Sequence, residues 1–127
     1  MRLSTQTSVI KFWIAGLVVP KARPRFSGGR VLLPKNYRGW RNAAYLEILG
    51  QLPECYNIEF PIKKAEVEIK LVGKHRGDGD NILGSYLDVM VEAGILQDDR
   101  LSCVPFVSLK SIAGTPLGAE IVITPLP

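Results

Sequence analysis

The sequence predicts an α+β domain, a mixed β-sheet with two main helices packed on one side. Three observations predict it: one strictly alternating segment, two segments with helical periodicity, and strand-like segments before and after them. The connections are short, and no repeat or linker divides the chain. Residues 1–127, with 46% hydrophobic content, are therefore expected to form one domain with a core of its own.

Five segments have strand character. Val9 to Ala15 is rich in β-branched and aromatic residues, and a short strand is expected at Arg30 to Leu33, after a basic loop rich in proline and glycine. Lys64 to Val72 alternates apolar and charged residues, which predicts a strand with one buried face. Leu101 to Leu109 and Ala119 to Thr124 complete the predicted strands.

Two segments have helical periodicity. Tyr37 to Leu52 carries apolar residues at near-helical spacing, and a proline follows it, so we predict a helix. A second helix is expected from Asn81, with Asp80 or Asn81 as its cap and Gly94 as its end, because apolar residues recur along one face.

Charge is distributed unevenly along the chain. Residues 1–46 carry nine Lys or Arg and no acidic residue, whereas residues 47–127 carry seven basic residues against twelve acidic ones. A basic half beside an acidic one is typical of a protein that binds a polyanion with the first and acts on it with the second. A merely solvated basic face is the alternative that charge alone leaves open.

Cysteine content and hydropathy indicate the compartment. Cys55 and Cys103 are far apart, in no metal-binding motif, and we expect both to be reduced thiols in the core. The apolar run at residues 9–19 is too short to span a bilayer and is interrupted by Lys11, and no signal-peptide cleavage site follows it. We therefore expect a cytoplasmic protein with no membrane association.

Six of the twelve acidic residues lie between Lys74 and Arg100. Asp78 and Asp80 enter the second helix, whereas Asp98 and Asp99 lie beyond its far end. Because that helix is roughly 20 Å long, Asp78, Asp80 and Asp99 could meet within one chain only if residues 95–97 folded back along it. Helix capping and a solvated loop remain the alternative to a metal site.

The ligand chemistry of this segment favours Mg²⁺. Carboxylates with one nearby histidine, His75, suit hard cations and argue against zinc. A calcium-binding EF-hand is excluded, because the sixth position of such a loop is Leu83 rather than glycine.

Three motifs resemble the RusA-type endodeoxyribonucleases, which resolve Holliday junctions. An early strand leads into the basic, proline-rich stretch VPKARPRF at residues 19–26; the motif DGDN at residues 78–81 opens a helix that contains Leu87-Asp88; and the pair Asp98-Asp99 follows that helix. The resemblance covers most of the chain. The second and third motifs, with the interval between them, are the specific ones.

This resemblance implies an enzyme of DNA recombination and repair. Members are homodimers that bind branched, four-way DNA and, with Mg²⁺, make paired symmetric nicks. By position, Asp78, Asp80 and Asp99 would be metal-binding and catalytic, and Asp98 an accessory catalytic residue. The expected nucleic-acid-binding residues are Lys21, Arg23, Arg25, Arg30, Lys35, Arg38, Lys74 and Arg76. Asp88 is expected to be structural, and His75 either contacts DNA or is exposed.

One position departs from the family pattern. Four residues after the second acid of the DxDN motif the family typically has a lysine, whereas this chain has Gly84. Either a nearby cation such as Lys74 or Arg76 substitutes for it, or the protein is a weakened or inactive nuclease that binds junctions as an architectural protein.

Overall fold

The structure, a computed structural model, describes residues 9–21, 25–27, 30–52 and 58–127. Within these ranges the elements are β1 (Ile10–Ala15), β2 (Arg25–Ser27), β3 (Arg30–Leu32), α1 (Lys35–Gln51), β4 (Ala65–Val72), α2 (Gly79–Glu92), β5 (Phe106–Ile112) and β6 (Gly118–Pro125). The main sheet has the order β1-β6-β4-β5, and β2 and β3 form a separate hairpin.

The main sheet is mixed, as predicted. Strand β6 pairs antiparallel with both β1 and β4, whereas β4 and β5 are parallel. Parallel neighbours need a crossover connection, and α2 supplies it between β4 and β5. Helix α2 therefore starts beyond the carboxyl end of β4 and returns toward the end at which β4 begins.

One face of the sheet carries the core. In β4 the residues Ala65, Val67, Ile69 and Leu71 are at most 3% exposed, and they alternate with Glu68 and other exposed or half-buried positions. Residues of α2 such as Tyr86, Val89 and Met90 belong to the same buried cluster. Burial on one side only confirms the α+β architecture with helices covering one face.

The cysteine prediction is tested for one residue of two. Cys103 is a free, half-buried thiol that packs against the core. Cys55 lies outside the described residues.

Two strand predictions need correction. The predicted strand at Leu101 to Leu109 is wrong in its first half, because Arg100 O accepts hydrogen bonds from the N–H groups of Cys103 and Val104, which forms a turn. Leu101 is 80% exposed, and β5 begins at Phe106. The basic loop also contains β2, which was not predicted and which pairs with the short strand expected after it.

Candidate active site

The loop between β4 and α2 brings the first two acidic residues to the surface. It turns at Gly73 and Gly77, whose φ angles are +90° and +120°. A Cβ atom at Gly77 would collide with the ring of Pro20. Glycine at this position therefore allows the segment that follows β1 to lie directly against the entrance of α2.

Asp78 and Asp80 are exposed at this entrance. Asp78 occupies the N-cap position of α2, yet its side chain makes no capping hydrogen bond. Asp80 Oδ1 accepts a hydrogen bond from the adjacent N–H of Asn81 at 2.9 Å. Neither carboxylate forms an ion pair with any residue that the structure describes. The predicted cap, Asp80 or Asn81, is therefore wrong in position, because α2 begins at Gly79 and Asp78 holds the N-cap position.

Asp98 and Asp99 lie at the opposite end of α2. Residues 95–97 do not fold back along the helix, because they pair with Ile62, which precedes β4: Ile62 N–H donates to Ile95 O at 2.8 Å and Gln97 N–H to Ile62 O at 3.0 Å. A 14-residue helix, about 20 Å long, separates the two acidic pairs. One chain therefore does not bring Asp78, Asp80 and Asp99 together.

Asp98 stabilises the local turn. Its Oδ1 accepts the backbone N–H of Asp99 at 2.7 Å, and its Oδ2 lies 3.1 Å from Arg100 Nε. The hydrogen bond from the Asp99 backbone, with help from the Arg100 charge, lowers the pKa of Asp98. Asp99 is exposed.

The two carboxylates at the start of α2 supply some, but not all, of the ligands that a hard cation requires. Across the described ranges, no three acidic, histidine or cysteine side chains are grouped so that they could hold a metal ion. Mg²⁺, however, usually retains several waters and binds through one or two carboxylates together with substrate phosphates. Asp78 and Asp80 are compatible with such a site, and both ring nitrogens of the nearby His75 are engaged by backbone groups.

Asp88 lies about two helical turns after Asp80 in α2. Its carboxylate joins α2 to α1 and to the segment after β1. Its Oδ2 accepts hydrogen bonds from Tyr37 Oη at 2.6 Å and Arg41 Nη1 at 3.1 Å, and its Oδ1 lies 3.5 Å from Lys21 Nζ. Burial alone would raise the pKa of Asp88, but the hydrogen bonds from Tyr37 and Arg41 and the nearby positive charges outweigh burial and lower it. The structural role predicted for Asp88 fits these contacts.

The segment after β1 is fastened to α2 and to the loop before it. Ser85 Oγ donates to Val19 O at 2.7 Å, and Lys21 N–H donates to Asn81 O at 3.1 Å. His75 Nδ1 accepts the N–H of Val18 at 3.2 Å, while Nε2 lies 3.2 Å from Val72 O and 3.0 Å from Gly118 O. Nε2 therefore carries the proton of a neutral ring. His75 positions the backbone and has no nitrogen left for DNA.

The predicted DNA-binding residues fall into three groups. Lys21, Lys74 and Arg76 lie around the entrance of α2, and Lys35 and Arg38 are exposed at the start of α1. Arg25 and Arg30 lie on the two strands of the β2–β3 hairpin, of which only the backbone is described, and Arg23 lies outside the described residues.

Sequence reasoning missed Tyr37 and Arg41, the two donors that hold Asp88. No local pattern could have found them, because they lie 51 and 47 positions from Asp88 in the chain.

The residues of this candidate site lie in the part of the chain that matches a known protein family. The family model for endodeoxyribonuclease RusA matches residues 15–124, a range that contains both acidic pairs and the basic segment. The chain belongs to the RusA family. The crossover junction endodeoxyribonuclease RusA of Aquifex aeolicus (strain VF5) is 30% identical over 97 residues, which are 72% of this chain and 73% of that protein.

Family membership confirms the predicted resemblance and the predicted class of enzyme, an endodeoxyribonuclease. No helix in the described part of the chain is long and apolar enough to cross a membrane. The identity of the metal, the homodimer, the paired nicks and the roles of single residues remain predictions.

Proposed function

We propose that this RusA-family protein resolves four-way DNA junctions as a Mg²⁺-dependent homodimer, by paired symmetric nicks. The observation that carries the proposal is the pair of exposed carboxylates, Asp78 and Asp80, at the entrance of α2. Neither carboxylate forms an ion pair within the described ranges. Lys74 and Arg76 precede them in the same loop, and the backbone of Lys21 bonds to Asn81 in the first turn of α2. Carboxylates near lysine and arginine side chains are expected where a metal ion and a phosphate bind together.

Each group has a separate task in this proposal. The oxygens of Asp78 and Asp80 hold the cation, which when bound lowers the pKa of a water molecule and stabilises charge on the leaving oxygen. The surrounding lysines and arginines bind backbone phosphates, which fixes the register of the junction without reading its bases. Exposed side chains suit this role, because a branched DNA needs an open surface.

The third carboxylate comes from the partner subunit in this proposal. Asp99 and its accessory Asp98 lie at the far end of α2, so they cannot complete the site of their own chain. In a two-fold dimer whose α2 helices run antiparallel to each other, each entrance would face the partner's Asp99. Two identical composite sites would result, as paired nicks on opposing strands require.

The decisive experiment uses a synthetic four-way junction with and without Mg²⁺. Symmetric paired nicks that need the metal, together with a shifted complex that does not, are the expected result. The alternative is a junction-binding protein with weakened or no catalysis, which the glycine at position 84 favours. A shifted complex with no nicks at any Mg²⁺ concentration would replace the proposed enzyme by that alternative.

A further inference from the structure

The side chain of Lys21 crosses α2 at Gly84. A Cβ atom at Gly84 would lie 3.7 Å from Lys21 Cδ and 3.8 Å from Lys21 Cβ, and no atom of Lys74 or Arg76 comes within 4 Å of it. Lys21 is fixed there by its backbone, whose N–H donates to Asn81 O at 3.1 Å. Its ammonium ends 3.5 Å from Asp88 Oδ1.

Gly84 lies midway between two carboxylates on one face of α2. Asp80 is one turn before it and Asp88 one turn after it, each about 6 Å away along the helix axis. Because Lys21 is anchored over the middle of this row, rotation about its side-chain bonds can carry the ammonium from Asp88 toward Asp80 without a backbone movement. The lack of a side chain at Gly84 keeps that path open.

The contact of Lys21 with Asp88 can be exchanged at low cost. Asp88 Oδ2 keeps its two shorter bonds, from Tyr37 at 2.6 Å and Arg41 at 3.1 Å, when Lys21 leaves Oδ1. The Lys21 side chain is 37% exposed, and ion pairs at such exposure contribute little to stability. Asp88 would therefore not be left as a buried charge without partners.

We propose that Lys21 is a catalytic cation of this enzyme, resting on Asp88 in the free protein and moving across Gly84 to the scissile phosphate when DNA binds. This inference rests on the proposed cleavage site at Asp78 and Asp80. The oxygen of a water molecule bonds to phosphorus and its proton passes to solvent, while the bond from phosphorus to the leaving sugar oxygen breaks and that oxygen takes a proton from solvent. Lys21 transfers no proton, and its charge stabilises the transferring phosphoryl group.

The first test replaces Lys21 by methionine, which keeps most of the side-chain volume and removes the charge. Single-turnover cleavage of a prebound junction in Mg²⁺ should fall tenfold or more, while the Kd measured in Ca²⁺ changes less than threefold. Lys110→Met, at an exposed lysine of β5, is the matched control and should change neither quantity. A weaker Kd with an unchanged rate for the bound complex would make Lys21 a mere phosphate anchor and overturn the inference.

The second test moves the charge onto the helix. In the double variant Lys21→Met/Gly84→Lys, a lysine side chain attached to α2 itself places an ammonium on the same face of the helix. Cleavage should therefore recover by at least fivefold over Lys21→Met alone. Thermal melting of every variant excludes misfolding as the cause of a loss. Failure to recover, with melting and Kd like those of the natural protein, would contradict a role for charge at this point of α2.

A third measurement does not depend on cleavage. Lysines are reductively methylated with ¹³C, and the NMR signal of Lys21 is assigned from its absence in Lys21→Met. Junction binding in Ca²⁺ and the substitution Asp88→Asn should each shift this signal, since each removes Lys21 from the Asp88 carboxylate. A Lys21 signal that DNA leaves unmoved would overturn the inference even if the enzyme cleaves. Binding and a shift without cleavage by the natural protein would overturn the proposed function and the catalytic role of Lys21, and would leave only its movement from Asp88 to bound DNA.

Discussion

Asp80 carries a charge that α2 can lose at small cost. A carboxylate in the first turn of a helix contributes about 0.3–1 kcal/mol through the helix dipole when it is exposed, as Asp80 is. It makes no ion pair with a described residue. The Asp80 carboxylate therefore contributes little to the stability of the fold and is available to bind a ligand.

Asp80→Asn should abolish Mg²⁺-dependent cleavage and leave junction binding intact or tighter. Asparagine keeps the size of the side chain and removes both a metal ligand and a repulsion toward phosphate. Cleavage and gel-shift assays on one four-way junction measure the two effects. Glu68→Gln removes the same charge from the exposed face of β4 and should leave both unchanged; equal cleavage by Asp80→Asn would remove the metal site from this position.

Local spacing predicted the acidic residues but not their neighbours. The pair Asp78 and Asp80 follows a strand and opens a helix, so its place at the surface could be derived from a few adjacent residues. The contact of Lys21 with Gly84 joins positions 63 apart and depends on how the segment after β1 lies against α2. Such a contact is a consequence of tertiary packing, and no periodicity in one sequence encodes it.

At the scale of elements, a single phenol joins α1 to α2. Tyr37 is fully buried, and its hydroxyl donates to Asp88 at 2.6 Å. Tyr37→Phe should lower the free energy of unfolding by about 1.5–3 kcal/mol, the range for a hydrogen bond to a charged group. Urea unfolding measures it. Tyr45→Phe, at a half-buried tyrosine of α1 whose hydroxyl bonds to no described residue, should cost less than half as much.

The same cluster predicts a pH dependence. The folded-state pKa of Asp88 is lowered below the ordinary value of 3.8, so the stability from its charge is fully present above that value. It is lost as the pH falls through the folded-state pKa. The difference in melting temperature between the natural protein and Asp88→Asn should therefore be constant from pH 7 to about 5 and shrink below 3.8. A difference that grows under acid would contradict this linkage.

Helical periodicity located α1 but not all of its buried face. Leu46 and Leu49 fit the apolar spacing of the predicted helix, yet they are 64% and 40% exposed. The buried residues of α1 are Tyr37, Ala44 and Ile48. The segment carries apolar residues on more than one side, so the pattern fixes the helix while the neighbouring β1 and α2 decide which side is covered.

The β2–β3 hairpin should supply electrostatic affinity. It places the backbones of Arg25 and Arg30 on adjacent strands, next to the segment anchored at Lys21. Replacing Arg23, Arg25 and Arg30 by glutamine should weaken junction binding for every sequence and reduce the salt slope of log Kd by roughly three, about one unit for each phosphate contact. An unchanged slope with an intact melting temperature would place the DNA elsewhere on the protein.

At the scale of the molecule, α2 separates the two acidic pairs that the RusA-type motifs supply. Asp78 and Asp80 follow β4, whereas Asp98 and Asp99 lie where β4 begins, so no rotation of a side chain can unite them. A 14.0 kDa chain that remained a monomer on DNA would have neither a third carboxylate nor a second site. Dimerisation would supply both at once, and this dependence can be tested by mixing subunits.

Dimers that combine one Asp80→Asn subunit with one Asp99→Asn subunit should nick junctions, although each homodimer alone is inactive. If each site uses Asp80 from one subunit and Asp99 from the other, the mixed dimer has one site with both defects and one site intact. It should make single nicks and resolve almost no junctions, since resolution needs two. Co-expression with two affinity tags isolates the mixed dimer for a single-turnover assay.

The outcome depends on the arrangement of the site alone. Were Asp80 and Asp99 to act within one chain, each site of the mixed dimer would carry one defect, and no nick would appear. Mixing Asp78→Asn with Asp80→Asn is the matched control: both residues enter the site from the same subunit, so each site keeps one defect in either arrangement and the mixed dimer should be inactive. Nicking by the first mixture and not by the second requires a site shared between subunits, because only exchange across the two-fold axis can rebuild a complete set of carboxylates.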